Sequence, residues 1–406
     1  MIIRLDRKKF NFNLQYEMFC LFLNTVMITD LIRTVFGNQS VSNTFRNAIY
    51  IFTILYVIFH AYKHGHLISL IILSSIYLLL CLVNLFGNSN EDLIFLTISG
   101  SAIFLSRCVA GYYFASYIPI NEVFFNKLKK YYILIFIYSF LYLFFNSAGL
   151  HTAKGSYMTF SYNILIPTTI LLLRTINKPT IFKIVSSIYF TGVIVVLGAR
   201  GPLMCIAITV LVYMLVRLSQ ISTFKRVLYC FLFSIFSIMI IAVRENILNL
   251  LMRIYPQSRT LTLMKTGEFF ALSDRDLLYE TIFETLRKNP LIPHGIYSDR
   301  IILSKLLGTE GNGAYAHNVI FEVLYQFGIV FGGILLVYLG WLIVRGLIKL
   351  KFYNEQDVVI FTCASITGII SLFFSGSYLI NERTWLSIGI LWAIVYRKSA
   401  LKKDST

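Results

Sequence analysis

Three constellations in this chain combine reactive residue types at informative spacing. The first is Gly198-Ala199-Arg200-Gly201-Pro202. It sets an arginine at a sharp turn between two apolar segments, and Pro202 suits the first turn of the helix that follows. A guanidinium at such a turn either grips an anion such as a phosphate with its planar fork or snorkels to a membrane interface. The second is Ser273-Asp274-Arg275-Asp276-Leu277-Leu278-Tyr279-Glu280, followed by Lys288-Asn289-Pro290-Leu291. Asp274 and Asp276 have the spacing of a metal-binding pair. Acidic residues in the first turn of a helix also answer its dipole, and a hard cation would need more oxygen ligands than this segment offers, so no metal is assigned. The third is His317-Asn318-x-x-Phe321-Glu322, then Gln326-Phe327-Gly328-Ile329. A histidine at a membrane boundary is either an ordinary interfacial residue or, when neutral, a base able to take a proton from a hydroxyl near pH 7. His294, His151 and the His64/His66 pair are less specific. Arg107 and Glu322 are ionisable groups within apolar spans, which serve either function or the holding together of helices.

The elements that must position these residues follow from composition. Of 406 residues, 57% are hydrophobic and 14% charged, where an ordinary soluble domain carries about 25% charged residues. The apolar residues fall in blocks of the length that crosses a hydrocarbon core, and in lipid such blocks must be helices. A β-barrel would show short alternating segments instead. The sequence therefore predicts an all-α polytopic membrane protein with about twelve spans. They lie near 14–36, 47–62, 67–86, 93–118, 131–149, 160–173, 184–199, 202–217, 227–243, 317–344, 358–375 and 384–396. The net charge of +17 does not imply a nucleic-acid partner. The Lys and Arg residues cluster in every second connection, around Lys127/Lys129/Lys130, Arg174/Lys178/Lys183, Arg217/Lys225/Arg226 and Arg345/Lys349/Lys351. That is the signature of cytoplasmic loops and places both termini inside. Glu17 and Asp30 interrupt the first apolar run, so it reads as a retained helix rather than a signal peptide.

Residues 244–316 alone have soluble-like composition, with nine Lys/Arg and eight Asp/Glu. This long outer segment has helix signals of its own. Ser273-x-x-Asp276 resembles a capping box, Leu277, Leu278, Ile282, Phe283 and Leu286 recur at helical spacing, and Asn289-Pro290 ends the run. The chain thus divides into residues 1–243 with nine spans, the outer loop 244–316, and residues 317–406 with three spans and a cytoplasmic end. The six cysteines all lie in spans and form no disulfide framework or metal pair. No internal repeat is visible, unlike many transporters.

The three constellations, in this order and on one side of the membrane, resemble the bacterial O-antigen polymerase and O-antigen ligase superfamily. The resemblance covers roughly residues 184–375 and implies a GT-C-like helical membrane glycosyltransferase that uses undecaprenyl-diphosphate-linked glycans. By the same match Arg200 and Arg275 would bind the donor diphosphate and His317 would act on the acceptor hydroxyl; Asn318 and Glu322, next to that histidine at the start of the tenth span, are expected to orient the site. The sequence departs from the pattern at Pro293, where a glycine is usual, and at Phe331, where the ligase form of the histidine motif has Gly, Thr or Tyr. The second departure favours polymerase over ligase. The resemblance meets a chemical argument: the outer face holds no pool of nucleotide sugars, so glycosyl transfer there needs a donor activated in advance. Arginines can stabilise the departing diphosphate without a metal or other cofactor, and a neutral base can activate the acceptor for inverting attack. The expected function is glycan polymerisation in the bacterial inner membrane. The alternatives are a ligase that transfers glycan to lipid A–core and, from another class, a transporter or flippase. Expected partners are the lipid-linked oligosaccharide, membrane lipid, a chain-length regulator and a flippase.

Overall fold

In lipid every amide must find its partner within its own element, and among the described residues every regular element is helical. The computed structural model describes residues 7–87, 90–147, 156–197, 200–254, 258–268, 275–308 and 315–396. The first helices are α1 (Arg7–Phe36), α2 (Gln39–Lys63), α3 (Leu67–Gly87) and α4 (Glu91–Ile103). A π-helical turn at Phe104–Cys108 joins α4 to α5 (Val109–Tyr117), followed by α6 (Glu122–Ser147), α7 (Ser156–Asn163), α8 (Leu165–Asn177) and α9 (Ile181–Val196). Then come α10 (Arg200–Leu218), α11 (Thr223–Ile254), α12 (Arg259–Thr266), α13 (Arg275–Lys288) and α14 (Ser298–Leu307). The chain closes with α15 (Val319–Leu350), α16 (Gln356–Ser365), α17 (Thr367–Ile370), a 3-10 turn at Ser371–Phe373, and α18 (Glu382–Tyr396).

Seven stretches among the described residues are long and apolar enough to cross a membrane: Asn13–Phe36, Gln39–Lys63, Leu67–Phe86, Glu91–Tyr117, Arg200–Leu218, Val319–Leu350 and Gln356–Phe373. Each coincides with one of the twelve expected spans. Of the other five, the sixth, seventh and twelfth fall on helices that are short or interrupted, and the fifth and ninth on the long helices α6 and α11. The sixth is broken between α7 and α8, just before Pro167, while α8, α9 and α18 are short. In α6 the apolar run begins only after Lys130. Large apolar side chains face outward along the bundle, among them Phe52, Leu55 and Phe59 of α2, Leu79 and Val83 of α3, and Phe331, Ile334 and Val337 of α15. Contiguous exposure of this kind suits hydrocarbon, not water.

The largely apolar interior also holds polar side chains. Thr362, Ser365, Thr367 and Ser371 are buried and bond back to carbonyls three or four residues earlier. Helix α18 packs along α5, where the Ser116 hydroxyl donates to the Gly389 carbonyl at 3.1 Å.

The segment of soluble-like composition begins inside a helix, because α11 runs on past residue 244 to Ile254. Leu248, Leu250 and Leu251 keep an apolar pattern that carries it beyond the expected boundary. Further on, α13 lays Leu278, Ile282 and Leu286 onto Leu303 of α14 and Tyr325 of α15. Each such buried side chain contributes about 1.5–3 kcal/mol. Leu277 and Phe283, expected on the same stripe, are 50% and 60% exposed. The buried face follows strict four-residue steps and leaves them outside. Ser273 of the expected capping box lies outside the described residues.

Helix α15 is broken at Gly328, whose φ of 72° and ψ of 167° are not helical. A Cβ there would stand 2.9 Å from the Leu291 carbonyl oxygen, so the position needs glycine on both counts. The segment after α13 repairs the break. Ile329 N–H donates to the Pro290 carbonyl at 2.9 Å, and Gly295 N–H to the Gln326 carbonyl at 3.0 Å. The Asn289-Pro290-Leu291 and Gln326-Phe327-Gly328-Ile329 motifs are thus two halves of one joint. Pro293 is accommodated in it, with Gly295 supplying the left-handed turn at φ 89°.

Candidate functional site

At one end of the bundle three connections converge on a cavity of about 390 Å³. Helix α7 supplies Thr159, Tyr162 and Asn163. The segment between α13 and α15 supplies Arg300 of α14 and Tyr315. The connection into α18 supplies Ser375, Gly376, Ser377 and Asn381, and the first turn of α18 supplies Glu382 and Arg383. Arg300 is 7% exposed and its guanidinium lies 5.2 Å from the Tyr297 ring and 6.0 Å from that of Tyr315. Its Nε has no hydrogen-bond partner. Arg383 donates to Asn163 Oδ1 at 2.8 Å. Among the described residues no salt bridge engages Arg275, Arg300 or Arg383. Two guanidiniums that form no salt bridge thus line a polar cavity, with the Glu382 carboxylate also in its wall, and offer charge-assisted donors that suit an anion.

His317 stands beside this cavity. Its φ of 51° is left-handed, a conformation rare for a residue other than glycine. Its ring packs 3.8 Å from that of Tyr315, centroid to centroid. Tyr315 in turn bonds to the Ser375 hydroxyl at 2.9 Å and accepts from Gly376 N–H at 2.9 Å. The His317 Nδ1 is buried without a partner. Burial, and secondarily the positive charge of Arg275, pushes its pKa down to about 4. That is well below the ordinary histidine value near 6.5, because the ring is packed away from water. The imidazole is neutral at physiological pH and has a nitrogen free to accept a proton.

The residues after His317 brace the site. Asn318 caps α15, its Oδ1 accepting from Ile320 N–H at 2.9 Å. Glu322 is buried one turn on and accepts from the hydroxyl of Ser377, a wall residue of the cavity. Gln326 donates to Asp299 Oδ1 at 2.7 Å and accepts from the Tyr378 hydroxyl at 2.6 Å. Asp299 thereby fixes the start of α14, next to Arg300. Burial raises the Asp299 pKa, and the neighbouring Arg300 charge opposes that rise. The glutamate and glutamine act on the cavity through its walls, not by lining it.

The structure places the sequence-derived arginines close to this centre but not in its wall. Arg275 opens α13, and its charge acts on both His317 and Tyr162. Arg200 opens α10 and donates to the Glu268 carbonyl at 3.4 Å. Its neighbour Gly201 lies under the Tyr162 hydroxyl, where any Cβ would collide, so the start of α10 is pressed against the cavity wall. Gly198 and Ala199 of that turn, Asp274 and His151 lie outside the described residues. Asp276 is exposed, and no group of three or more potential metal ligands occurs among the described residues. His294 stacks on Tyr325 and bonds to its carbonyl at 3.1 Å, which makes it part of the α15 joint. Arg107 sits in the π-helical turn, 4.5 Å over the Tyr50 ring, and is not among the residues lining the cavity.

Arg300, Arg383, Tyr315, Tyr162 and Asn163 were not singled out from sequence. One signal existed for Arg383. It lies in a short connection that the basic-loop map puts outside, where arginine is disfavoured unless something requires it.

The chain is thus a bundle that includes helices able to cross a membrane, in which two arginines line a polar cavity beside a neutral histidine. A family model described as O-antigen ligase matches residues 185–338. The match spans α9 to the middle of α15 and includes Arg200, Arg275, Arg300, His317 and Glu322. It covers less than half of the chain and bears out the resemblance to the O-antigen polymerase and ligase superfamily. Members of that family are membrane glycosyltransferase-like enzymes of lipopolysaccharide and polysaccharide biosynthesis. No curated protein matches the chain. No solved structure matches it.

Proposed function

We propose that the chain is a glycan polymerase of the bacterial inner membrane. It would move a growing chain from undecaprenyl diphosphate to a lipid-linked repeat unit at the outer face. In this reading the bundle has twelve spans with both termini in the cytoplasm, and the cavity end faces outward. The observation that carries the reading is the meeting of Arg300 and Arg383 at one cavity beside neutral His317.

The chemistry follows from those groups. His317 takes the proton of the acceptor hydroxyl as its oxygen attacks the anomeric carbon. The bond from that carbon to the diphosphate oxygen breaks, and the electron pair leaves with the diphosphate. Arg300 and Arg383, with Arg275 and Arg200 near the rim, stabilise the charge that grows on the leaving group. Asn318 and Glu322 hold the segments that carry the histidine and the Ser377 wall. Attack from the face opposite the diphosphate inverts the anomeric centre. Positive charge on the arginines does the work that a divalent cation would otherwise do.

The family description favours a second reading, ligation of the finished glycan to lipid A–core. The two reactions share the donor and differ in the acceptor. Purified protein supplied with a synthetic undecaprenyl-diphosphate repeat unit alone should build a ladder of lengthened lipid-linked products, in the presence of EDTA. Transfer only when lipid A–core is added would make the chain a ligase. No transfer with either acceptor would leave transport as the reading.

A further inference from the structure

A hydrogen-bonded chain runs from Arg383 into helix α1. Arg383 donates to Asn163 Oδ1 at 2.8 Å, and Asn163 Nδ2 donates to Asp30 Oδ2 at 3.0 Å. The Tyr138 hydroxyl of α6 donates to the same oxygen at 3.2 Å. The direction of this chain is fixed by what each group can do. A guanidinium only donates and a carboxylate only accepts, so the amide between them must turn its oxygen to Arg383 and its nitrogen to Asp30. Asn163 is 9% exposed and lines the cavity together with Arg383. Behind these two residues, Phe22, Leu23, Val26 and Met27 of α1 form an apolar wall.

We propose that Asp30 is the positioning residue for Arg383, acting through Asn163. The proposal rests on the donor-site reading above. A carboxylate bonded directly to Arg383 would occupy the fork and cancel the charge that an anion needs. An amide placed between them orients the guanidinium and leaves its remaining donors and its charge for the cavity. Tyr138 donates to the same Asp30 oxygen as Asn163 does, so the carboxylate is anchored from α6 as well as from α7. The arrangement ties α1 and α7, which lie outside the residues matched by the family, to the chemistry of the α14–α18 end.

The test is binding of undecaprenyl diphosphate to the purified full-length protein in detergent, with turnover measured alongside. Arg383→Gln should weaken binding by roughly 10–100-fold, the usual range for a charge-assisted contact. Asp30→Ala should weaken it by about 5–10-fold, with a smaller loss for Asp30→Asn, which keeps the shape and an acceptor oxygen. The loss should appear in KM for the donor more than in kcat. In an Arg383→Gln background Asp30→Ala should have no further effect, since residues acting through one contact are not additive. Asp30→Ala that lowers thermal stability while donor affinity stays at the wild-type level would overturn the proposal, as would losses that multiply in the double variant. If Arg383→Gln alone leaves affinity unchanged, Arg383 is no donor ligand and the donor-site reading of that residue fails with it.

Discussion

The two ends of the helical bundle treat positive charge in opposite ways. At the end with the basic loops, Arg174 lies 3.1 Å from a Glu122 oxygen and 3.7 Å from Asp357, and Lys127 lies 2.6 Å from Glu17. Lys349 donates to the Val395 carbonyl, and Gln220 reaches the carbonyls of Leu350, Lys351 and Tyr353. These contacts tie α1 to α6, α8 to α6 and α16, and α15 to α18. At the cavity end the carboxylates of Glu322 and Asp299 accept from neutral donors, Ser377 and Gln326. Arg275, Arg300 and Arg383 form no salt bridge among the described residues. Charge satisfied by a fixed partner holds a fold together. Charge kept from a partner in a half-buried cavity is costly to the empty protein and becomes favourable when an anion enters.

The largest effect that separates the two ends should come from His317. Its alanine variant should turn over about 10²–10⁴-fold more slowly, the usual contribution of a general base, with donor affinity largely kept. The base works only when deprotonated, so kcat/KM should rise with pH through its pKa and be flat above it. Burial places that acid limb near pH 4, not near 6.5. Arg275→Gln removes one of the two causes of the depression and should move the limb upward. Initial rates over pH 3.5–8 check both; a limb that stays put in His317→Ala would assign it to another group. Next in size, Arg200→Lys and Arg275→Lys should recover little of the elongation lost in the corresponding alanine variants, because an ammonium cannot reproduce the bidentate fork. Wild-type elongation in the alanine variants would remove both residues from the mechanism. The smallest effect should be Arg174→Ala at the opposite end. Glu122 is 62% exposed, and an exposed pair contributes about 0–1 kcal/mol, so thermal melting should shift slightly and turnover stay near wild type.

Much of this organisation is legible in the residues themselves. Seven of the apolar blocks coincide with helices long and apolar enough to cross a membrane, and Arg275 and Glu322 stand near His317 at one end of the bundle. Other features depend on packing that no local pattern encodes. Arg383 meets Asn163 across 220 residues of sequence, and Arg300 sits in a mixed-charge stretch where nothing distinguishes it from Arg287 or Lys305. The depressed basicity of His317 follows from burial against Tyr315, which the His-Asn motif does not reveal. Asp30 looked like a mere interruption of an apolar run, because its partners Tyr138 and Asn163 come from other helices. The joint at Gly328 shows the middle case. Both halves were visible as motifs, and only the fold shows that one repairs the other.

The most direct test compares the affinity of purified protein for undecaprenyl diphosphate in an Arg300→Ala/Arg383→Ala variant and in Arg174→Ala. The double variant should bind at least about 100-fold more weakly than wild type, since two charge-assisted contacts of about 1.5–3 kcal/mol each are removed. Arg174→Ala should bind within about twofold of wild type, as expected for an exposed pair far from the ligand. Wild-type affinity in the Arg300/Arg383 variant would contradict the assignment of the cavity to the lipid diphosphate.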